Sequence, residues 1–251
     1  MSNKRTYCIC IGGFDPSGGA GVVADVKTFE QLRLIGLSVL TSNTIQTEDH
    51  FEKVNWINEQ TILAQLDLLV ERYTPLFFKI GLVENAAVLL RIIQKIRNYN
   101  TDAVIVWDPV LKPTYASDDA FEINRFDNDL KEIKRLVDWV TPNTEEFSTL
   151  FSREDFTHAS FYLKGGHTTS LDFKEFKAIV GRDYLIENGK VSILNPKVDT
   201  LLKKHGTGCI LSSAFCGYLA LGFPSLKAAV RAKHYVTERL ISNPTLLSYH
   251  K

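Results

Sequence analysis

The sequence has no net charge, few cysteines and no apolar run that approaches membrane-spanning length. Lysine plus arginine and aspartate plus glutamate both number 29 in a chain of 251 residues. A chain with equal numbers of basic and acidic residues lacks the excess positive charge that is typical of proteins that bind nucleic acid or an anionic membrane. Any anion that it binds must therefore be held by local geometry. The four cysteines include no CxxC pair and are too sparse for a secreted disulfide scaffold. We therefore expect a cytoplasmic protein without a nucleic-acid or membrane partner.

The chain also lacks linkers, internal repeats and low-complexity tracts. Lys4 and Arg5 precede an apolar stretch, but that stretch is too short for a signal peptide and ends in two glycines. Hydrophobic residues make up 45% of the chain, which is enough for one sizeable core. We therefore expect one domain over residues 1–251.

Short apolar runs alternate with segments of helical periodicity along almost the whole chain. Apolar residues recur with helical spacing over 62–73 and again over 89–96. Strand–helix alternation predicts a parallel sheet covered by helices on both faces. The predicted buried strands are Tyr7–Ile11, Leu37–Leu40, Leu76–Ile80, Ala103–Trp107, Trp139–Val140 and Phe161–Leu163.

The last third of the chain carries a different pattern. Two apolar segments, Tyr184–Glu187 and Lys190–Leu194, flank the pair Asn188-Gly189, which is a strong signal for a tight hairpin turn. The tail from about residue 208 to residue 241 is predicted to be helical, with a break at residues 222–224. A late antiparallel hairpin should therefore join the sheet before two final helices.

A glycine-rich segment, residues 12–21, follows the first predicted strand and precedes a helix. It allows close backbone approach to a ligand and leaves N–H groups at a helix start, although a plain turn fits the same residues. Residues 19–24 match the dinucleotide fingerprint GxGxxA, but Asp15-Pro16-Ser17 separates them from the strand and no acidic residue ends the second strand. No Lys-Ser/Thr pair follows the glycines, so a Walker A loop is excluded too.

A second glycine cluster, residues 205–209, directly precedes a predicted helix. Gly206, Thr207 and Gly208 would place N–H donors and a hydroxyl where a developing phosphate charge is stabilised. Thr207 could instead be a simple helix cap. His205 beside this loop, like His167 beside another, is better explained as a structural hydrogen-bonding residue than as a catalyst.

Polar side chains also follow three predicted strands, at Asp108, Asn143 with Glu146, and Lys164. Ligands of open parallel sheets bind at the carboxyl ends of strands. Carboxylate and amide oxygens suit Mg²⁺, and a lysine suits phosphate. Each residue alone could be a cap or a surface ion pair, and Asn143 with Glu146 also fits a capping box. Their convergence on one sheet edge favours a phosphate and metal site.

Taken together, these segments resemble the ribokinase-like superfamily, and most closely its hydroxymethylpyrimidine and phosphomethylpyrimidine kinases, a branch that includes some pyridoxal kinases. The matches appear in the family's order and span nearly the whole chain. They are GGFDPSGGAG (12–21), ADVKTF (24–29), Gln46, KIGL (79–82), DPV (108–110), TPNTEE (141–146), KGGH (164–167) and HGTGC (205–209).

The resemblance implies a three-layer α/β/α sandwich with a mostly parallel central sheet, ATP and Mg²⁺ as cofactors, and a homodimer. Residues 206–209 would form the anion hole for the transferred phosphoryl group. Lys164, with Asn143, Thr207 and Gly208, would contact ATP, and Asp108 and Glu146 would organise Mg²⁺. Cys209 occupies the position at which many relatives carry an aspartate. The resemblance implies that it accepts the substrate's proton as a thiolate, which the helix start would favour. The alternative is that Cys209 is a small buried residue that packs at the helix start.

The resemblance also implies a pocket for an aromatic ring, in which Gln46 reads the ring edge because an amide can donate and accept at once. The other residues implied for this pocket are Gly13, Asp15, Ala20, Thr44, Leu82 and Val110. Two features depart from the family pattern. Gln46 is followed by Thr47 rather than Asn, and only 17 residues separate Glu146 from Lys164, which predicts a shortened crossover and a more open sheet face or nucleotide rim.

The expected activity is ATP-dependent phosphorylation of the hydroxymethyl group of 4-amino-5-hydroxymethyl-2-methylpyrimidine in thiamine biosynthesis. The sequence leaves open whether its monophosphate is a second acceptor. The nearest alternative is a pyridoxal or pyridoxine kinase of vitamin B6 salvage. A more distant alternative is a non-catalytic relative that senses a pyrimidine or a nucleotide. The complete set of Lys164, Asn143, Glu146 and residues 206–209 favours an enzyme, since a sensor need not retain all of it.

Overall fold

The computed structural model describes residues 5–112, 116, 126, 129–152, 154–155, 159–166, 181–195 and 203–250. These residues form a nine-stranded sheet with helices on both faces. The strands are β1 Tyr7–Phe14, β2 Ile35–Gln46, β3 Phe51–Trp56, β4 Phe77–Ile80, β5 Val104–Trp107, β6 Trp139–Val140, β7 Ser160–Leu163, β8 Asp183–Glu187 and β9 Lys190–Leu194.

Seven helices are described, and none is long and apolar enough to cross a membrane. They are α1 Gly21–Gln31, α2 Glu59–Tyr73, α3 Ala86–Tyr99, α4 Leu130–Leu136, α5 Thr144–Leu150, α6 Thr207–Ala220 and α7 Ser225–Leu240.

The sheet has the order β3-β2-β1-β4-β5-β6-β7-β8-β9. Strands β2, β1 and β4 to β7 are parallel, whereas β3, β8 and β9 pair antiparallel with their neighbours. The chain moves from β1 outward to β2 and then returns to β4 on the other side of β1. This reversal opens a crevice at the carboxyl ends of β1 and β4, where ligands of open α/β sheets bind.

Side-chain alternation along β1 divides the core into the two halves of a three-layer sandwich. Cys8 and Cys10 pack with α1, α6 and α7 on one face, while Ile9 and Ile11 pack with α2 and α3 on the other. All four side chains are fully buried. The predicted fold class is confirmed, and these two cysteines act as small core residues.

The late hairpin and the helical tail are also confirmed. Asn188 and Gly189 both have positive φ, 51° and 72°, as a tight turn between right-twisted strands requires. β8 and β9 pair in register around this turn. The break between α6 and α7 falls at residues 221–224, where it was predicted.

The second predicted strand was too short, and β3 was missed. β2 continues through residue 46 because β3 pairs antiparallel with its second half. Residues 42–46 therefore lie in a strand, not in a loop after it. Ser42, Thr44 and Gln46 consequently share one face of the sheet.

The shortened crossover between β6 and β7 contains α5. Phe147 on α5 and Phe151 just after it both pack on Phe161, with ring centroids 5.5 and 5.2 Å apart. Phe151 also contacts Trp107, and both Trp107 and Phe161 are fully buried. Aromatic side chains cover the sheet beside α5, so the expected opening of the sheet face is not found among the described residues of this crossover. The nucleotide rim at His167 lies outside the described residues.

Candidate functional site

The polar residues predicted at strand ends meet at the carboxyl edge of the sheet. Asp108 follows β5, Asn143 follows β6 and Lys164 follows β7, and these three strands are neighbours. Asn143 and Lys164 pair directly through an isolated parallel bridge. The parallel sheet thus brings together residues that are 56 positions apart in sequence.

Lys164 is the centre of this group. Its Nζ donates to Asp108 Oδ1 at 2.6 Å and lies 3.8 Å from Glu146 Oε2. Burial alone would raise the pKa of Asp108, but the ammonium groups of Lys164 and Lys79 hold that pKa below its ordinary value. Burial raises the pKa of Glu146 to about 7, and Lys164 only partly opposes this. The site thus contains one lysine between two carboxyl groups of different acidity.

Asn143 and Glu146 form the capping box that their spacing predicts at the start of α5. Glu146 N donates to Asn143 Oδ1 at 2.8 Å, and Asn143 N donates to Glu146 Oε2 at 2.7 Å. The capping interpretation is therefore confirmed. It uses one oxygen of the Glu146 carboxyl group and fixes that group beside Lys164.

The second glycine cluster forms the start of α6 at the same sheet edge. Gly206 precedes the helix with φ of 75°, and a Cβ there would lie 2.0 Å from the Gly19 carbonyl oxygen. In this described segment no side chain caps the helix, so the interpretation of Thr207 as a capping residue is wrong. The N–H groups of residues 207–209 have no partner within the helix. A Cβ on Gly208 would lie 3.4 Å from Lys164 Nζ, which places the ammonium group next to these donors.

Cys209 lies at this helix start, partly buried. Burial raises the pKa of its thiol to about 11, although Lys79 and an N–H from Gly21 both lower it. The expectation that the helix start would favour a thiolate is not met, because desolvation raises the thiol pKa more than Lys79 and the Gly21 N–H lower it. At neutral pH Cys209 is a thiol.

The first glycine-rich loop is organised around Asp15. Its Oδ1 accepts from Ser17 N at 2.9 Å, and its Oδ2 accepts from Ala20 N at 2.8 Å and lies 2.8 Å from His205 Nε2. These hydrogen bonds outweigh burial and lower the pKa of the Asp15 carboxyl group. His205 has the structural hydrogen-bonding role that was expected of it. The His205–Asp15 contact ties the two glycine loops together.

The residues predicted for the ring pocket lie beside this loop. Gln46 Nε2 donates to Thr44 Oγ1 at 2.9 Å, and Thr44 Oγ1 donates to the Phe14 carbonyl at 2.7 Å. Leu82 lies close to Gly13, since a Cβ there would be 3.2 Å from Leu82 Cδ2. Ala20 is the residue immediately before α1. Most of the residues predicted for the pocket therefore lie on or just after β1, β2 and β4, whereas Val110 follows β5 and packs with Leu82.

A small apolar cluster in the crevice includes residues that the sequence reading missed. Leu82 and Val110 pack with Phe51, Val54 and Trp56, all three of which lie on β3. Apolar residues at 54 and 56 alternate with polar ones at 53 and 55, which is a strand signal that could have revealed β3. These side chains extend the predicted apolar wall of the pocket.

Comparison with known proteins points to one family. The phosphomethylpyrimidine kinase family matches residues 15–251. A hydroxymethylpyrimidine/phosphomethylpyrimidine kinase of Staphylococcus aureus strain Mu50 is 28% identical, and the match covers 97% of this chain and 91% of the relative.

Solved structures agree in fold. The phosphomethylpyrimidine kinase of Clostridium difficile 630 superposes with a TM-score of 0.71 at 27% identity, covering 92% of this chain and 99% of that one. The pyridoxal kinase of Staphylococcus aureus in complex with AMP-PCP and pyridoxal gives a TM-score of 0.79 at 21% identity, covering 98% of this chain and 92% of that one. At that identity the second comparison supports the fold alone.

Proposed function

The chain belongs to the phosphomethylpyrimidine kinase family and is a small-molecule kinase, and from this premise we propose its substrate. It transfers a phosphoryl group from ATP to the hydroxymethyl group of 4-amino-5-hydroxymethyl-2-methylpyrimidine, in the cytoplasm and in the service of thiamine biosynthesis. The observation that carries the proposal is the meeting of Lys164 with the uncapped start of α6. An alcohol seated in the adjacent crevice would face the donors that stabilise the transferred phosphoryl group.

At the end of the site that would bind ATP phosphates, Lys164 would exchange its carboxylate partners for phosphate oxygens. In the free protein its ammonium group contacts Asp108 and Glu146, and in the complex it would turn to the phosphate oxygens of ATP. Asn143 pairs with Lys164, and Gly208 lies next to its ammonium group. These two residues and Thr207 at the start of α6 would complete the nucleotide contacts. Phosphoryl transfer requires chiefly positioning and charge stabilisation, and these groups supply both.

The residues present fit a magnesium ion that is held mainly by phosphates and water. Among the described residues no group of three or more His, Cys, Asp or Glu side chains could hold a metal alone. Mg²⁺ in kinase sites needs only one or two carboxylates besides the substrate phosphates. Asp108 and Glu146 already share one cation, the Lys164 ammonium. When bound, the metal would neutralise charge on the transferring phosphate.

Cys209 is the proposed proton acceptor of the reaction. Direct transfer from ATP to an alcohol needs no enzyme nucleophile, so a covalent role is not required. A thiol of pKa about 11 is protonated at neutral pH, so the reactive form is the minor thiolate. This requirement makes the role testable by pH.

At the ring end, Gln46 provides the polar contact that selects the substrate. Its amide N–H is engaged by Thr44, which directs the amide oxygen toward a ligand donor. The exocyclic amine of an aminopyrimidine is such a donor. Gly13, Ala20, Leu82 and Val110 would enclose the ring. Asp15 shapes this pocket through its loop, since both its oxygens accept internal hydrogen bonds.

We also propose that two copies associate through the β2–β3 hairpin. β3 is one of the two outer strands of the sheet, and Ile45 on the adjacent β2 is 46% exposed. The exposed side chains of β3 itself are Glu52, Lys53 and Asn55, so a second chain would pair there through backbone groups and through Ile45. The mass of one chain is 28.3 kDa. A mass near twice that value by light scattering would support a homodimer, and a mass near 28.3 kDa would contradict it.

The substrate proposal is tested by ATP consumption with four acceptors: hydroxymethylpyrimidine, its monophosphate, pyridoxal and pyridoxine. We expect the highest kcat/KM with hydroxymethylpyrimidine, and turnover with the monophosphate would add the second phosphorylation. A Lys164→Met variant measures the background. A higher kcat/KM with pyridoxal would replace the proposal by the vitamin B6 alternative. No turnover with any acceptor would favour the non-catalytic relative.

A further inference from the structure

A buried ion pair lies outside the residues proposed to bind substrate, nucleotide or metal, on the α1 and α6 side of the sheet. Lys79 Nζ on β4 contacts Asp25 Oδ2 on α1 at 2.9 Å and Asp25 Oδ1 at 3.1 Å. Their side chains are 1% and 0% exposed. Asp25 raises the pKa of Lys79 above its ordinary value, against the lowering effect of burial, so the lysine stays charged. Both residues belong to segments, ADVKTF and KIGL, to which no role has been given.

Stability alone does not account for this pair. Burying two charges carries a large desolvation cost, and replacing such a pair by apolar residues is often neutral or stabilising. The structure also keeps space for the ammonium group. A Cβ on Gly81 would lie 2.9 Å from Lys79 Nζ, so glycine at this position accommodates the charge.

The pair is connected to the start of α6 by a serine. Ser213 Oγ donates to Asp25 Oδ1 at 2.5 Å. The preceding residue, Ser212, donates to the Gly208 carbonyl at 2.9 Å and lies 2.7 Å from Thr141 Oγ1, which in turn contacts Asp108. Two adjacent serines therefore anchor the first turns of α6 to two different aspartates.

Lys79 also acts on the site through its charge. It lowers the pKa of both Cys209 and Asp108. The carboxylates of Asp108 and Asp25 raise the pKa of Cys209 and so oppose Lys79, and Lys164 also interacts with the thiol through its charge. A fixed cation thus lies close to the place where the substrate proton would be accepted.

We propose that the buried Asp25–Lys79 pair is a positioning element of the phosphoryl-transfer site. It holds the first turns of α6 in place through Ser213, and it keeps on the α6 side of the sheet an ammonium group whose effect on Cys209 the Asp25 carboxylate offsets only in part. This inference rests on the proposed role of that helix start as the anion hole. It assigns no contact with substrate to either residue.

The test replaces the pair by apolar residues of similar size, in the double variant Asp25→Leu/Lys79→Met. We expect it to fold with a Tm close to that of the wild type. Its kcat should fall by roughly 10- to 100-fold, the range for partners that orient a reactive group. The Kd for the ring alcohol should stay within about threefold, because the pair lies away from the ring pocket. A folded double variant with wild-type kcat would overturn the proposal.

A second double variant, Asp25→Asn/Lys79→Gln, replaces the ion pair by a neutral pair that can still form hydrogen bonds. It can be assayed even if the apolar variant does not fold. It should also lose turnover, since the charge is absent. Wild-type turnover in this variant would refute the electrostatic part of the proposal. The control is Arg97→Met, which breaks an ion pair with Asp138 at the opposite edge of the sheet. That variant should lose stability but keep the turnover of its folded fraction.

Alkylation of Cys209 by iodoacetamide provides a readout that does not require kinase activity. The thiolate is the reacting form. Both double variants remove Lys79, which lowers the thiol pKa, and Asp25, which raises it less, so the net loss should slow alkylation at pH 9 by roughly 2- to 3-fold, equivalent to a rise of about 0.3 to 0.5 pKa unit. A Cys209→Ala protein gives the background from the buried cysteines. An unchanged alkylation rate in both double variants would contradict the inference, even if the proposed substrate proved wrong.

Discussion

Asp15 and Asp108 are both 1% exposed and both follow strands at the carboxyl edge of the sheet, yet their surroundings differ. Asp15 is held by backbone N–H groups, a serine hydroxyl and His205, all within hydrogen-bond distance. Asp108 is held chiefly by the ammonium group of Lys164, at 2.6 Å. The first carboxylate is fixed by its own loop, and the second by a long side chain that can move.

This difference divides the site into two ends. Near Asp15 both carboxylate oxygens accept hydrogen bonds from the protein, whereas His205 Nδ1 and Ser42 Oγ are buried without a partner among the described residues. The loop around Asp15 is therefore held by internal contacts, and the proposed ring end beside it retains unpaired polar atoms. Near Asp108 the lysine and carboxyl groups neutralise one another, and under the proposed function phosphates and a metal would replace those contacts. One sheet edge would then recognise a neutral ring at one end and a highly charged nucleotide at the other.

The largest expected effect is at Cys209, where the two glycine loops meet. Replacing it with alanine should lower turnover by roughly 10²–10⁴ if it accepts the proton, and Cys209→Asp should restore part of the loss. Because burial raises the thiol pKa to about 11, wild-type turnover should increase with pH above 8 and Cys209→Ala should lack that increase. The matched control is Cys216→Ala, on the same helix. Wild-type turnover in folded Cys209→Ala would reduce the residue to a packing role.

Lys164→Met tests the phosphate end. It removes the ammonium group but keeps most of the side-chain volume, and kcat/KM for ATP should fall by roughly 10²–10³. The KM for the ring alcohol should change little. Lys95→Met, which breaks the exposed pair with Asp67, is the control. A variant that retained ATP use but lost the alcohol would show that the two ends have been assigned in reverse.

Gln46→Leu tests the ring end. The change removes both hydrogen-bonding groups at nearly constant volume and leaves the ligand amine unpaired, which costs about 1–3 kcal/mol. We expect kcat/KM for the alcohol to fall by the corresponding ~5- to 150-fold, with the KM for ATP unchanged. Thr47→Val, at the next position, should have little effect. Unchanged kinetics in Gln46→Leu would remove this residue from the pocket.

Asp15→Asn should have the smallest effect on chemistry and should act mainly on stability. The loss of acceptors for buried donors should lower the free energy of unfolding by about 1–3 kcal/mol in urea titrations. Hydrogen bonds lower the pKa of Asp15 below its ordinary value of 3.8, so its stabilisation is complete above that value and is lost as the pH falls through the folded-state pKa. The difference between wild type and variant should therefore narrow below pH 4. A difference independent of pH would show that the carboxylate charge is not what stabilises the loop.

The two ends also differ in how well the sequence predicted them. Asp108, Asn143 and Lys164 each follow a short apolar strand, and parallel pairing necessarily places such strand ends together. β3 escaped prediction because its apolar residues form a small cluster in the crevice and not a long buried stripe. The end of β2 was misplaced for the same reason, since β3 is what extends it to residue 46.

Contacts between side chains that are far apart in the sequence could not be predicted from the spacing of motifs along the chain. Asp15 and His205 are 190 positions apart, and Asp25 and Ser213 are 188 apart. The acidity of Cys209 was misjudged because position at a helix start is visible in the sequence, whereas the degree of desolvation depends on how α1 and β4 pack against it. Local motifs therefore located the site, and tertiary packing determined its electrostatics.

The division into two ends is tested most directly by separate calorimetric titrations of hydroxymethylpyrimidine and of Mg·ADP. In Lys164→Met, nucleotide affinity should fall by roughly 10- to 150-fold, as expected for a charge-assisted contact, while ring affinity stays within about twofold of wild type. In Gln46→Leu the pattern should be reversed. If both variants weakened both ligands to the same extent, the site would act as a single coupled unit, and the proposed division would be wrong.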